Sequence, residues 1–255
     1  MFPSKITAIS GISTTNDRYL NFGGTNEYVE VANQANFDFE RTDAFSISAW
    51  IKTSSTNNQG IFGKSLTGGE WTGYTFFLGD PGSSPGHLYF QMVGTSTSNN
   101  IDMRTTSVTV NDGNWHHVVM TKGTGSNVAA VTIYKDTVAS AITTISDDLS
   151  TDPSNTQKAL IGAVDARVAS GTGGYPFIGG IDEVAVFTKE LSVSEIFILY
   201  GNGMPQTAGN ANSISNLLGY WRMEEGTGTS VVDSSANSNT GTMKNMESAE
   251  DWISY

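Results

Sequence analysis

The 255-residue chain has no cysteine, which removes a disulfide framework, a thiol nucleophile and a thiolate metal site together. Histidine is nearly absent too. His87 stands alone, and His116 and His117 are neighbours that face opposite sides of an extended strand, so a histidine-rich zinc site is not expected. Basic residues are few, 13 against 25 acidic, and the net charge is −12. A field of that sign repels phosphate backbones and anionic lipid, so neither nucleic acid nor a membrane surface is an expected partner. No apolar run reaches the length of a spanning helix. The opening residues, MFPSKITAISGIST, carry one lysine and no unbroken apolar stretch of the kind a secretory signal needs, so synthesis without an export address is expected.

Helical patterning is scarce as well, with one exception. Residues 177–203, FIGGIDEVAVFTKELSVSEIFILYGNG, read as one strand followed by one short helix. From Ile178 the even positions run Ile178, Gly180, Asp182, Val184, Val186, and simple alternation puts Asp182 on one face with two valines and Glu183 on the other. Ser192 is a good N-cap, Glu195 completes a capping box, and Leu191 with Ile196 fits a hydrophobic staple. Gly201, Gly203 and Pro205 end the helix, which is expected near 192–200.

What the chain has in quantity is glycine, 28 residues, and short alternating apolar runs between turn-rich loops. Residues 19–31 read as a hairpin around Gly23-Gly24-Thr25-Asn26. Phe45, Ile47, Ala49 and Ile51 share one strand face, and aromatic strands follow at 74–78 and 88–93. The loops of a rigid sandwich commonly display its binding residues. Trp71 sits in one such loop and Tyr175 follows the glycine-rich stretch 170–174, so these two aromatics are the candidates for stacking on the C–H face of a sugar. Trp50 and Trp115, within strands, read as structural.

The pattern G-x-I-D-E-V-x-V-F-x-x-x-L-S-x-x-E-I-x-x-L-Y, preceded in order by YLNFGGTNEYVEV (19–31), FSISAWIK (45–52) and GNWHHVVMT (113–121), resembles the laminin-G-like, concanavalin A-like jelly-roll family. The resemblance implies an all-β fold, a two-sheet antiparallel jelly-roll sandwich with the one short helix. It covers roughly residues 19–203. We therefore expect an arm at 1–18 and a single domain at 19–255, with 214–255 completing the sandwich. The tail LGYWRMEEGTGTSVVDSSANSNTGT (218–242) resembles a segment that opens many members of the family, yet here it comes last. Two readings follow: a circular permutation paired in cis, which is preferred, or strand exchange within a homo-oligomer. The same order resembles appendage or decoration proteins of tailed bacteriophages, which implies a virion-surface location.

For chemistry, the resemblance implies one calcium ion clamped between the strand of Asp182 and the opening hairpin near Gly24 and Asn26, with Asp233 a further candidate in an oxygen-rich loop. The plainer alternatives are that Asp182 accepts backbone N–H bonds from the Gly179-Gly180 corner and that Asp233 forms a turn. The related glucanases carry Glu-x-Asp-x-x-Glu on one strand, and that motif is absent, so no catalytic residues are assigned. The expected function is non-enzymatic binding of glycans or docking on another virion protein. The alternatives are a purely structural capsid or fibre subunit and a glycan hydrolase.

Overall fold

The computed structural model describes residues 16–66, 71–79, 85–171, 173–247 and 250–255. In chain order the strands of the first half are β1 (Arg18–Gly23), β2 (Tyr28–Val31), β3 (Phe45–Lys52), β4 (Gln59–Ser65), β5 (Gly73–Leu78), β6 (His87–Val93), β7 (Asn100–Thr109) and β8 (Trp115–Lys122). There follow β9 (Val131–Lys135), β10 (Val138–Ala139), β11 (Ile142–Asp147), β12 (Leu160–Ile161) and β13 (Ile178–Phe187), then helix α1 (Val193–Tyr200). The chain closes with β14 (Leu217–Trp221), β15 (Ser230–Val231), β16 (Gly241–Lys244) and β17 (Trp252–Ser254). Sheet A runs β10-β9-β8-β3-β13-β1-β17, with β14 also on β13; sheet B runs β11-β7-β6-β5-β4-β12-β2-β16-β15. The pairings between named strands are antiparallel, and the architecture is a jelly-roll sandwich.

Alternation builds the core. Ile47, Ala49 and Ile51 of β3, with Leu20 and Phe22 of β1, meet Val29, Phe76, Phe90, Met92 and Met103 from sheet B in one buried cluster. The outer face of sheet A is covered differently. Val119, Ala185 and Phe187 pack against Leu191, Ile196 and Leu199 around α1 in a second cluster. The expected helix signals are all used: Ser192 Oγ accepts from the Glu195 N–H, the Glu195 carboxylate accepts from the Ser192 N–H at 3.0 Å, and Gly201 ends the helix at φ 61°. Among the described residues, no helix is long and apolar enough to cross a membrane.

Two expectations of local structure are corrected. Residues 19–31 do not form a hairpin, because β1 pairs with β13 and β17 in sheet A whereas β2 pairs with β12 and β16 in sheet B. The glycine pair at the turn, with Gly24 at φ 83°, hands the chain from one sheet to the other. Asp182 does not share a face with Val184 and Val186. Asp182 opposes Trp50 and Ala185 opposes Ser48, so three steps on β13 match two on β3. The extra residue is Glu183, at φ 49°, and a one-residue bulge reverses the parity of everything beyond it. Ile181, Val184 and Val186 therefore enter the core, while Asp182 lies on the outer side with Trp50, whose ring stacks on Tyr200 of α1 at 5.5 Å.

The bulge also marks a seam. β1 pairs with the first half of β13 (Ile181 opposite Leu20) and β14 with the second (Val184 opposite Trp221), so two strands share one edge and meet at Asp182-Glu183. The segment beyond Gly203 thus supplies β14 and β17 to sheet A and β15 and β16 to sheet B, and it puts Trp221, Met223 and Trp252 into the main core.

Candidate functional site

The outer face of sheet B carries a cavity of about 350 Å³. Its floor follows from strand register. Phe77 of β5, Tyr89 of β6, Arg104 of β7 and Thr143 of β11 lie opposite one another in sequence across four strands, and beside them run Thr75, Gln91 and Asp102. One row is rich in aromatic carbon and the other in hydrogen-bonding groups. The Phe77 and Tyr89 rings stack at 5.0 Å, and Gln91 Nε2 donates to Asp102 Oδ2 at 3.1 Å, which orients both polar side chains.

The walls come from loops. Tyr175 stands 5.5 Å from Phe77, and Trp71 forms the opposite lip with 40% of its surface exposed. Both aromatics sit in the left-handed backbone region, Trp71 at φ 49° and Tyr175 at φ 51°, a conformation costing about 1–2 kcal/mol for a side-chain-bearing residue. Local bonds hold them there. Ser65 Oγ donates to the Trp71 carbonyl at 3.0 Å, and the Gly60 N–H donates to the Tyr175 carbonyl at 2.6 Å. Gly174, just before Tyr175, is at φ 81° with a Cβ position only 2.6 Å from the Val168 nitrogen, so no other residue fits that corner. Backbone strain of this kind gathers at binding sites.

Arg167 closes the cavity beside Trp71. Its guanidinium lies 5.6 Å from the indole centroid and is fixed by Asp165, with Nη2 to Oδ2 at 2.6 Å and Nε to Oδ1 at 2.9 Å. Those hydrogen bonds push the arginine pKa further up and leave the buried Asp165 carboxylate fully engaged, since it also accepts the Arg167 backbone N–H. Arg104 makes no ion pair among the described residues.

The two aromatics singled out from sequence thus come together on one cavity. The four oxygen-bearing candidates do not. Gly23 opposes Ile178, which is four strand residues, roughly 13 Å, from Asp182 along β13, and Gly24 lies one residue beyond Gly23. Asn26 spends its carbonyl on the Asn245 side chain at 2.9 Å. Asp233 is a corner residue: its carboxylate accepts the backbone N–H groups of Tyr220, Ser235 and Asn239 and the Ser235 hydroxyl, within 2.9 Å in each case. Asp182 is fully buried, accepts the Tyr255 hydroxyl at 2.6 Å, and has its pKa driven well up by burial and then by the neighbouring Glu183 charge. Calcium wants six to eight oxygens with ionised carboxylates among them. Among the described residues no cluster of three or more His, Cys, Asp or Glu is placed to hold a metal ion, so these four residues do not fit the implied ion.

Sequence reasoning missed the floor: Phe77, Tyr89, Gln91, Asp102 and Arg104. The signal was present as solvent-face positions of neighbouring strands, but which strands lie side by side is not written in any one of them.

The described residues thus form a two-sheet antiparallel sandwich with a helix on one face and an aromatic-floored cavity on the other. A family profile described as the Concanavalin A-like lectin/glucanases superfamily, of laminin G type, matches residues 22–197, and the chain belongs to that superfamily. No curated protein matches the chain. Among solved structures, a Bacteroides ovatus ATCC 8483 protein assigned provisionally to carbohydrate binding is similar over 98% of this chain and 67% of its own, with a TM-score of 0.59 and 19% identity. The heptameric SAP-like pentraxin of Limulus polyphemus is similar over 78% of this chain and 88% of its own (TM-score 0.51, 14% identity). The CBM40 of the Ruminococcus gnavus IT-sialidase, bound to α2,3 sialyllactose, is similar over 73% of this chain and all of its own (TM-score 0.51, 14% identity). At these identities the likeness is one of fold.

Proposed function

We propose that the cavity on the outer face of sheet B binds glycans and that the protein is a non-enzymatic recognition module. The observation that carries this reading is the pair of accessible loop aromatics, Trp71 and Tyr175, backed by the buried Phe77 and Tyr89 rings and set beside Gln91, Asp102 and Arg104 on one cavity. A pyranose has an apolar C–H face and a rim of hydroxyls, and it needs those two surfaces at one place. The Ruminococcus gnavus CBM40 with sialyllactose is a sugar complex on the same fold, which supports the reading. Hydrolysis would ask for a free carboxylate and a protonated carboxyl flanking one bond. Of the described carboxylates lining the cavity, Asp165 is locked to Arg167 and Asp102 is bonded to Gln91.

The test is a glycan array followed by titration calorimetry of the sugars retained. Trp71→Ala and Tyr175→Ala are each expected to weaken binding by about 1–2 kcal/mol, roughly 5- to 30-fold. Unchanged affinity in both variants overturns the site, and new reducing ends in an incubated polysaccharide overturn the non-enzymatic part.

The same proposal takes in the setting implied by the phage-appendage resemblance: the exterior of a virus particle, where the module meets host glycans or docks on another virion protein. Mass spectrometry of purified particles checks it. Stoichiometric presence supports the setting, and absence from particles removes it.

A further inference from the structure

Resting on the glycan-binding reading, we propose that the site is bipartite and selects an oligosaccharide of at least two sugar residues over a single sugar. Tyr175 is the wall common to two depressions. On one side lies the aromatic-floored cavity of about 350 Å³; on the other lies a depression of about 440 Å³ lined by Gly24, Thr25, Asn57, Asn58 and Pro176. Each volume is near the small end of the range for a pocket that takes one small ligand, and together they suit a longer one.

The two halves differ in chemistry. The first offers the Trp71 and Tyr175 rings over a floor packed with buried aromatics. The second offers side-chain amides, a hydroxyl and glycine backbone, with no aromatic ring but Tyr175 itself. Among the described residues, the side chains of Thr25, Asn57 and Asn58 make no hydrogen bond within the protein, so their donors and acceptors are unspent. A lone pyranose stacked on Trp71 leaves those amides unused, whereas a chain crossing Tyr175 presents its next ring's hydroxyls to them.

The divider is rigid before any sugar arrives. Tyr175 is held left-handed by the Gly60 N–H bond to its carbonyl and by the Gly174 corner, whose Cβ position lies 2.6 Å from the Val168 nitrogen. Ordering the Tyr175 wall therefore costs little on binding, and each added contact on the far side registers in affinity.

The experiment is titration calorimetry of the full chain with gluco-, manno-, xylo- and galacto-oligosaccharide ladders of one to five residues. In the series that binds, affinity is expected to rise at least tenfold from the monosaccharide to the di- or trisaccharide and then level off. The double variant Asn57→Ala/Asn58→Ala should lose that gain while keeping monosaccharide affinity within about twofold, which also shows that the variant is folded. Affinity independent of chain length, or a double variant that keeps the whole gain, overturns the bipartite site and leaves the glycan reading intact. Failure of every ladder and of the glycan array to bind, or binding indifferent to both Trp71→Ala and Tyr175→Ala, removes the glycan reading and this inference with it.

Discussion

The Tyr255 hydroxyl donates to Asp182 Oδ2 at 2.6 Å, tying the residue after β17 to the bulge of β13. Around that bond stands a knot of ionisable groups: Glu183, which accepts from the Tyr220 hydroxyl, Arg222 at 3.4 Å from Glu183, and Glu224, which accepts the backbone N–H groups of Asp17 and Arg18. One arginine faces three carboxyls.

That imbalance gives the first prediction. Burial raises the pKa of Asp182 well above the usual carboxylate range, helped by the Glu183 charge, and burial lifts Glu183 and Glu224 each to about 7 against the partial relief from hydrogen bonds and Arg222. Groups whose folded pKa is raised favour the fold when protonated. Their contribution is full below the unfolded value near 4.5 and is lost as pH rises through about 7. The melting temperature should therefore fall between pH 4.5 and 8, and Glu183→Gln should flatten the slope. A wild-type profile that rises across this interval, or a variant with an unaltered slope, contradicts it.

Calcium gives the second. Because Asp182, Gly24, Asn26 and Asp233 are not brought together, millimolar calcium and an excess of chelator should leave the melting temperature unmoved. An ion bound at a hundred times its dissociation constant would add about 2.7 kcal/mol, which calorimetry would register plainly.

The third concerns the β9–β10 turn, where Asp136 and Thr137 both take positive φ, 48° and 71°. Asp136 is anchored by the His117 N–H and the His116 ring, at 2.9 and 2.8 Å, so it is the residue to keep. Thr137 is β-branched and in a conformation that glycine adopts freely. Thr137→Gly should stabilise the protein by about 1 kcal/mol in chemical denaturation, whereas Asp136→Gly should destabilise it.

The fourth tests the closing segment. Deleting residues 204–255 strips Trp221, Met223 and Trp252 from the core and leaves one edge of β1 and part of β13 unpaired. Loss of a single buried tryptophan costs about 3–5 kcal/mol, so the truncated chain should be insoluble or melt without cooperativity. A soluble fragment with a sharp transition sinks the expectation.

Much of the sandwich was legible because its signals are local. The alternation of Phe45, Ile47, Ala49 and Ile51 and the Ser192–Glu195 capping box each lie within a few residues, and both appear as read. Trp71 and Tyr175 were legible as loop aromatics, although nothing in either loop announced that they face one cavity. What failed was parity and partnership. The bulge at Glu183 inserts one residue and turns Asp182 away from the valines two and four places on, and a strand written in isolation gives no warning of it. The turn at Gly24 suits a hairpin and a crossing between sheets equally well, and only the partners of β1 and β2 decide.

The shared edge of β13 bears on how the protein forms. Its two companions there, β1 and β14, come from opposite ends of the chain, and β1 takes its other neighbour from β17. A ribosome must therefore deliver residue 252 before sheet A can close, and Leu20 of β1 waits for a partner more than two hundred residues further on. Contacts so distant in sequence make folding slow, in the range of milliseconds to seconds for such topologies. During translation, β1 leaves the Leu20 and Phe22 side chains it carries exposed until its partners are made.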